Sequence, residues 1–272
     1  MSIKFCPISS GSDGNSIYIG SSETHILIDA GISGKRITAG LFEAVNISPS
    51  ELSAIFITHE HVDHIQGVGV LSRKYDIPIF ATEKTWTQIL RHNMIGAVAE
   101  KNRNIIYPEE KCLINDMVIL PFDIPHDAAQ PVGYCVSVQG RKISVATDLG
   151  CITDTLREKL YGSDVILLES NHDLDMLKNG PYPMHLKARI MGNKGHLSNN
   201  SAGEFLTDIM CPKLKHIFLG HLSAENNRPL IAYETVRTIL TDNKINVGAG
   251  REVELYLAQR GGISESLILN SL

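Results

Sequence analysis

Cysteine is scarce in this 272-residue sequence, and long apolar runs are missing. The five cysteines are odd in number and include no Cys-x-x-Cys pair, which excludes a disulfide scaffold and indicates reduced thiols in a cytosolic compartment. The opening MSIKFCPISSGSDGN has no apolar core of a secretory signal, and no window approaches ~18 uninterrupted apolar residues. We therefore expect a cytoplasmic protein that does not span a membrane.

The sequence also lacks a large excess of charge of either sign. The net charge of −5 argues against a protein held to nucleic acid or membrane by bulk positive charge, although a local basic groove is still compatible with it. Internal repeats, low-complexity tracts and proline- or serine-rich linkers are absent. These absences predict one domain covering residues 1–272.

Short apolar runs and helical patterns alternate along the chain. Strand-like runs occupy 3–8, 16–20, 25–29 and 54–58, and helical periodicity is found at 35–45, 65–75 and 83–91. A second β-rich stretch is followed by alternating α and β patterns, where Ser201 and Glu204 form a potential capping box. This order predicts an α+β fold, in which two mixed sheets pack face to face with helices outside.

Histidine is the residue type that stands out, with eleven copies. The segment THEHVDH places His59, His61, Asp63 and His64 directly after the apolar run 54–58. In an extended turn His59 and His61 point the same way, and imidazole and carboxylate groups are ligands for a divalent ion such as zinc. The alternative is a solvated histidine-rich turn, which four ligand-type residues so close together make improbable.

Four ligands in one turn cannot complete two coordination spheres, so others must come from elsewhere. Three further candidates each follow an apolar strand-like run: His126, Asp148 and His221. A single histidine of this kind is more often an ordinary surface or core residue, but the pattern recurs three times. It therefore favours a second group of ligands.

These residues resemble the signature of the metallo-β-lactamase superfamily, HxHxDH. The resemblance implies an αββα four-layer sandwich with two metal ions at one edge of the sheets. It also implies His126, a metal-bridging Asp148 and His221 as the remaining ligands, and a supporting role for Asp29 in ILIDAG. The implied ligand set is His59, His61, Asp63, His64, His126, Asp148 and His221.

A narrower resemblance covers residues 9 to about 227. The segments SSGSDGNSIYIG, ILIDAGISGKRI, LLESNHD, LKARIMGNKGHLSN and LGHLSAENN are similar to those of the YycJ/WalJ-like family of nucleases. The resemblance implies a DNA exonuclease that acts from 5′ ends and is associated with mismatch repair. The 22 positions from His126 to Asp148 and the 73 from Asp148 to His221 disfavour the tRNA-binding arm of ribonuclease Z and the inserted domain of ribonuclease J.

The expected mechanism is hydrolysis of a phosphodiester by a hydroxide that bridges two divalent ions. We expect one ion at His59, His61 and His126, and the other at Asp63, His64 and His221, with Asp148 between them. Glu169 and His196 resemble the positions that ribonuclease Z uses to protonate the leaving alkoxide, so the predicted catalytic residues are Asp63, Asp148, Glu169 and His196. The ions are Zn²⁺ or Mn²⁺, with Fe²⁺ also compatible.

Substrate contacts are predicted from segments rich in small and polar residues. Residues 9–16 can form an anion-binding nest, and polar side chains flank His196 and follow His221. The predicted contacts are Ser10, Ser12, Asn15, Lys194, Ser198, Asn199, Ser223 and Asn226, and His172 is an additional candidate. Alternative functions are a small-molecule phosphodiesterase or ester hydrolase, an RNA-processing nuclease, and a regulatory binding protein with structural metals.

Overall fold

The structure is a computed structural model that describes residues 2–271. Within these residues the strands are β1 (Ser2–Ser9), β2 (Ser16–Gly20), β3 (His25–Ile28), β4 (Ala54–Phe56), β5 (Ile79–Thr82), β6 (Arg103–Ile106), β7 (Cys112–Ile114), β8 (Met117–Asp123), β9 (Val132–Val138), β10 (Arg141–Ala146), β11 (Val165–Glu169), β12 (His216–Gly220), β13 (Glu254–Leu257) and β14 (Leu267–Asn270). The helices are α1 (Gly34–Val45), α2 (Val62–Ile65), α3 (Val68–Tyr75), α4 (Glu83–Arg91), α5 (Asp154–Leu160), α6 (Leu174–Asn179), α7 (Met184–Ile190), α8 (Asn199–Ile209) and α9 (Pro229–Asp242). None of the described helices is long and apolar enough to cross a membrane.

The strands form two sheets, as the sequence pattern predicts, and each sheet has seven strands. The first has the order β14-β1-β2-β3-β4-β5-β6 and the second the order β13-β12-β11-β10-β9-β8-β7. Both sheets are mixed: β1 to β3 pair antiparallel and β3 to β6 parallel, while β7 to β9 form an antiparallel meander and β10 to β13 are parallel. The α+β class predicted from the sequence is confirmed.

Contacts between Cα atoms divide the chain into two compact units. The first contains the residues up to Asp123, Ala128–Arg141 and those from Gln259 onward, and the second contains Ile124–Asp127 and Lys142–Ala258. The single domain predicted for residues 1–272 stays a prediction.

The first unit is built around the first sheet and helices α1, α3 and α4. Apolar side chains of these helices, among them Leu41, Leu71 and Trp86, are buried with Leu27 and Ile55 of the sheet. Local signals set the ends of the helices: Ser33 caps α1 by accepting a hydrogen bond from Arg36 N, and α1 ends at Asn46 in the left-handed conformation.

In the second unit, helices α8 and α9 pack closely on each other. At Gly203 an added Cβ would lie 2.8 Å from Ile239 Cδ1, so the Ile239 side chain would have to shift to accommodate a larger residue. Helix α9 begins with Pro229 in its first turn, as predicted. Helix α8 starts earlier than predicted, because Ser198 rather than Ser201 is its N-cap and accepts a hydrogen bond from Ser201 N.

Candidate metal-binding and catalytic site

The first group of predicted metal ligands lies in the loop after β4 and in the short helix α2, within the first unit. His59 and His64 are fully buried, and His59 Nε2 lies 3.0 Å from His61 Nδ1. The alternation expected from the sequence is present, since Glu60 turns away and accepts a hydrogen bond from Ala129 N at 2.8 Å. Two imidazole nitrogens that approach each other this closely can serve as ligands of one cation.

Asp29 holds this loop in place from the end of β3. It accepts hydrogen bonds from Thr58 N and Thr58 Oγ1, each at 2.8 Å, and its Oδ2 lies 2.7 Å from His64 Nδ1. Burial raises the pKa of Asp29, although the charge and hydrogen bond of His64 act in the opposite direction. A carboxylate at Nδ1 fixes the ring of His64 and leaves Nε2 as the nitrogen that can bind a metal ion, which is the usual arrangement around a metal-binding histidine.

The predicted anion-binding nest near the N-terminus is closed by one of its own side chains. Asn15 Oδ1 accepts hydrogen bonds from Gly11 N at 3.1 Å and Ser10 Oγ at 3.2 Å, and Asn15 Nδ2 lies 3.2 Å from His64 Nε2. Ser10 and Asn15 are buried, whereas Ser12 is exposed. The amide of Asn15 therefore shapes the loop beside His64, and substrate contacts by Ser10, Ser12 and Asn15 stay predictions.

The second group of predicted ligands lies where parallel strands of the second unit end. Ala146, Leu168 and Leu219 are neighbours in register. Asp148 and His221 follow β10 and β12, and Glu169 is the last residue of β11, so all three lie at the same edge of the sheet. Asp148 and His221 have positive φ angles of 61° and 54°, a conformation in which Asp and His are enriched among residues other than glycine. The backbone therefore turns sharply at both residues.

Three imidazoles converge on one oxygen of Asp148. His221 Nε2, His126 Nε2 and His196 Nδ1 lie 3.5, 3.6 and 3.8 Å from Asp148 Oδ1. These separations are too long for hydrogen bonds. Ligand atoms at about 2.0–2.2 Å from one tetrahedral cation lie roughly 3.3–3.6 Å apart. The distances from Asp148 to His221 and His126 therefore fit ligands of one divalent cation, whereas the distance to His196 is longer.

Glu169 organises the second group from a fully buried position. Its Oε1 lies 2.7 Å from His196 Nδ1 and 2.9 Å from His221 Nδ1, while Oε2 accepts hydrogen bonds from Leu149 N and Leu197 N. Burial alone would raise the pKa of Glu169, but the charges and hydrogen bonds of His196 and His221 lower it to about 2. Glu169 is therefore an ionised carboxylate that keeps Nδ1 of both rings protonated.

His196 is the predicted proton donor. Burial lowers its pKa, but the nearby Glu169 and Asp148 carboxylates outweigh burial, and the net pKa is raised. Its side chain is partly exposed, unlike those of His126 and His221. An imidazolium that is held by a carboxylate at Nδ1 and is accessible to solvent has the features of a general acid.

Asp127 lies beside His126 and forms an ion pair with Arg189 that the sequence did not predict. Asp127 Oδ1 lies 3.3 Å from His126 Nε2, and Asp127 Oδ2 accepts a charged hydrogen bond from Arg189 Nε at 2.6 Å. The adjacent Asp in the sequence was a signal for a partner of His126, but Arg189 is distant along the chain. Arg189 is thus an ion-pair partner in this structure.

The other predicted substrate contacts differ in accessibility. Asn199 lies in a buried group of hydrogen bonds with Ser170 Oγ at 2.7 Å and Asn227, and Ser198 caps α8. Asn226 is buried, Ser223 Oγ accepts a hydrogen bond from its backbone N–H, and Lys194 is exposed. Lys194 is therefore the most accessible of these five residues, and their roles in substrate binding stay predictions.

Known proteins match both the sequence and the fold. The family model of the β-lactamase superfamily domain matches residues 24–221. The chain is 37% identical to exodeoxyribonuclease YycJ of Bacillus anthracis over 253 aligned residues. The aligned region covers 93% of this chain and 95% of that protein. It is 38% identical to exodeoxyribonuclease WalJ of Streptococcus pneumoniae over 250 aligned residues, and this alignment covers 92% of this chain and 93% of that protein.

A solved structure confirms the predicted fold class. The metallo-β-lactamase fold protein YhfI from Bacillus subtilis matches with a TM-score of 0.74 and 14% identity, over 98% of this chain and 99% of that chain. This chain is therefore an enzyme that belongs to the metallo-β-lactamase superfamily of hydrolases and, within it, to the family of the YycJ and WalJ exodeoxyribonucleases.

Proposed function

We propose that the protein is a metal-dependent 5′-to-3′ DNA exonuclease of the mismatch-repair-associated type, which acts in the cytoplasm on DNA with a free 5′ end. The observation that carries this proposal is the second donor group, in which His126, His196 and His221 converge on Asp148 while Glu169 holds His196 as a proton donor. The names of the curated relatives support a deoxyribonuclease rather than another hydrolase of the superfamily.

The donor groups support two divalent ions, Zn²⁺ or Mn²⁺, with Fe²⁺ also compatible. The residues that would hold them are His59, His61, Asp63, His64, His126, Asp148 and His221. Bound ions of this kind lower the pKa of water and neutralise charge on a phosphate. Asp29 and Glu169 act through the histidines, because each carboxylate fixes imidazole rings at Nδ1.

His196 has the geometry for the proton-transfer step. Its Nδ1 is engaged by Glu169, which leaves Nε2 as the nitrogen that can donate a proton to the leaving alkoxide. When the phosphorus–oxygen bond breaks, the alkoxide takes this proton, and the hydroxyl from water remains on the phosphorus. Glu169 stays ionised during this step and stabilises the positive charge of His196 before the transfer.

Degradation of end-labelled strands tests this proposal directly. We expect wild-type protein with Mn²⁺ or Zn²⁺ to shorten single- or double-stranded DNA stepwise from its 5′ end and to leave the matching RNA intact. Asp148→Ala should lose this activity together with bound metal. Asp154→Ala is the matched control, since Asp154 is an exposed aspartate in the same unit, and it should retain both.

Other outcomes would redirect the assignment. Degradation of RNA but not DNA would indicate an RNA-processing nuclease. Hydrolysis of bis(4-nitrophenyl) phosphate without cleavage of any strand, by protein with two ions bound, would contradict the proposal and favour a small-molecule phosphodiesterase.

A further inference from the structure

A cavity of about 320 Å³ lies beside His196 in the second unit. Its walls come from the segments that follow β10 and β11, the end of α7 and the start of α8. The residues that matter for its chemistry are Ile152, His172, Leu174, Met191, His196 and Ser198. The volume is at the lower end of the range for small-molecule sites, and apolar walls with a few polar groups are typical of such sites.

His172 is the unusual polar residue of this cavity. Its side chain is only 2% exposed, and its Nδ1 is buried without a hydrogen-bond partner among residues 2–271. Burial lowers the pKa of His172 to about 4, so the imidazole is neutral at pH 7 and offers one N–H donor and one acceptor nitrogen. His172 also lines the cavity, so its imidazole is a polar group that a ligand bound there can contact.

The lining of the cavity favours a nucleobase over a phosphate group. Lysine and arginine are the side chains that bind phosphate most strongly, and the described lining contains neither. A nucleobase presents a flat, largely apolar face and an edge with both donors and acceptors. Ile152, Leu174 and Met191 can contact the face, and a neutral His172 can contact the edge.

We propose that this cavity binds the base of the nucleotide on the leaving side of the scissile phosphate, and that His172 determines how well that base is held. The inference rests on the proposed function, in which His196 protonates the leaving oxygen. Because His196 also lines the cavity, the nucleoside attached to that oxygen is the part of the substrate that comes next to it. Holding this base positions the scissile bond for hydrolysis.

Steady-state cleavage of modified DNA tests the inference. The substrates are 5′-labelled single strands that are identical except for one abasic tetrahydrofuran unit, placed at the first or the fourth nucleotide. We expect the wild-type protein to remove an intact first nucleotide with at least ~10-fold higher kcat/KM than an abasic first unit. An abasic unit at the fourth nucleotide should leave release of the first nucleotide unchanged.

Three variants show whether this preference comes from the cavity. His172→Ala should reduce the preference to less than ~3-fold, and Met191→Trp should do the same by filling the cavity from its half-exposed rim. Met184→Trp is the matched control, since Met184 lies on α7 outside the cavity lining and is 76% exposed, and it should keep the wild-type preference. Thermal unfolding shows which variants are folded, and Met191→Trp keeps the test valid if His172→Ala is unstable.

Two results would overturn the inference by itself. One is wild-type cleavage with equal kcat/KM for intact and abasic first units, and the other is a preference that survives in both His172→Ala and Met191→Trp. If metal-loaded wild-type protein cleaves none of these strands, the proposed exonuclease function fails, and this inference fails with it.

Discussion

The two groups of predicted metal ligands differ in how the chain assembles them. In the first unit, His59, His61, Asp63 and His64 come from one short segment after β4. In the second unit, the ligands follow different strands, and His126 and His221 are 95 positions apart along the chain. The first group depends on one loop, whereas the second depends on the register of three parallel strands.

The two groups nevertheless use the same supporting chemistry. In each, one fully or almost fully buried carboxylate contacts imidazole Nδ1 atoms: Asp29 that of His64, and Glu169 those of His196 and His221. The comparison teaches that ligands can be contributed locally or from distant segments, while their orientation is set in the same way. It also indicates that Glu169, which serves two rings and two backbone N–H groups, has the larger structural role.

The largest effect in this comparison is expected at His196, the partly exposed imidazole of the second group. His196→Ala should lower kcat on DNA by about 10²–10⁴-fold, because a general acid is lost. Metal content, measured by plasma mass spectrometry, should stay at the wild-type level. His185→Ala, at an exposed histidine of the same unit, is the control and should leave kcat unchanged. Loss of metal in His196→Ala would contradict the proton-donor role and make His196 a ligand.

A smaller effect is expected at Asp29, the supporting carboxylate of the first group. Asp29→Asn keeps the size of the side chain but weakens the contact to His64 Nδ1, so metal affinity should fall about 10–100-fold in a chelator competition assay. Asp116→Asn provides the control, because Asp116 accepts hydrogen bonds from Thr24 and Ser21 and belongs to the same unit. Equal metal affinity in wild-type protein and Asp29→Asn would show that the first group needs no supporting carboxylate.

The smallest effect is expected from one hydroxyl in the first group. Thr58→Val removes the hydrogen bond from Thr58 Oγ1 to Asp29, and the free energy of unfolding of metal-free protein should fall by about 0.5–1.5 kcal/mol. Urea unfolding measures this change. Thr38→Val on α1, where Oγ1 donates to Gly34 O, should cost less than about 0.5 kcal/mol. Similar losses at both positions would mean that the buried hydroxyl has no special role in holding the loop.

The sequence predicts the bounds of helices and strands well where neighbouring residues determine those bounds. Strand β2 and helix α4 have the predicted bounds, because turn residues and helix caps lie next to apolar periodicity. The predicted helix at 65–75 is wrong in one respect, since it is divided into α2 and α3 around Gly67. Gly67 N donates to Ala30 O, and a Cβ at this position would lie 2.4 Å from Ile32 O. Another segment of backbone occupies that space, which periodicity alone cannot show.

The residues of the candidate site also divide into those that the sequence indicates and those that only the fold brings together. The sequence indicates His59 and His61 as ligands through their spacing in a ligand-rich segment, and His126, Asp148 and His221 through a recurring position after strand-like runs, and these roles stay predictions. The contact of Asp127 with Arg189, and the buried amides of Asn199 and Asn227, depend on segments that are brought together only by the fold. The cavity beside His172 also requires four separate segments, so composition and spacing contain no signal for it.

The pairing of β14 with β1 has a consequence for synthesis of the chain. Ser2 to Phe5 of β1 are paired with Leu267 to Asn270 on one side, and from Lys4 onward β1 is paired with β2 on the other. At the usual rate of translation, about 15–50 seconds separate the synthesis of these two strands. During that time the nascent chain presents an open, apolar strand edge of the kind that promotes aggregation. A variant that weakens β14 should therefore reduce the soluble yield from cells more than it reduces the activity of the protein that is recovered.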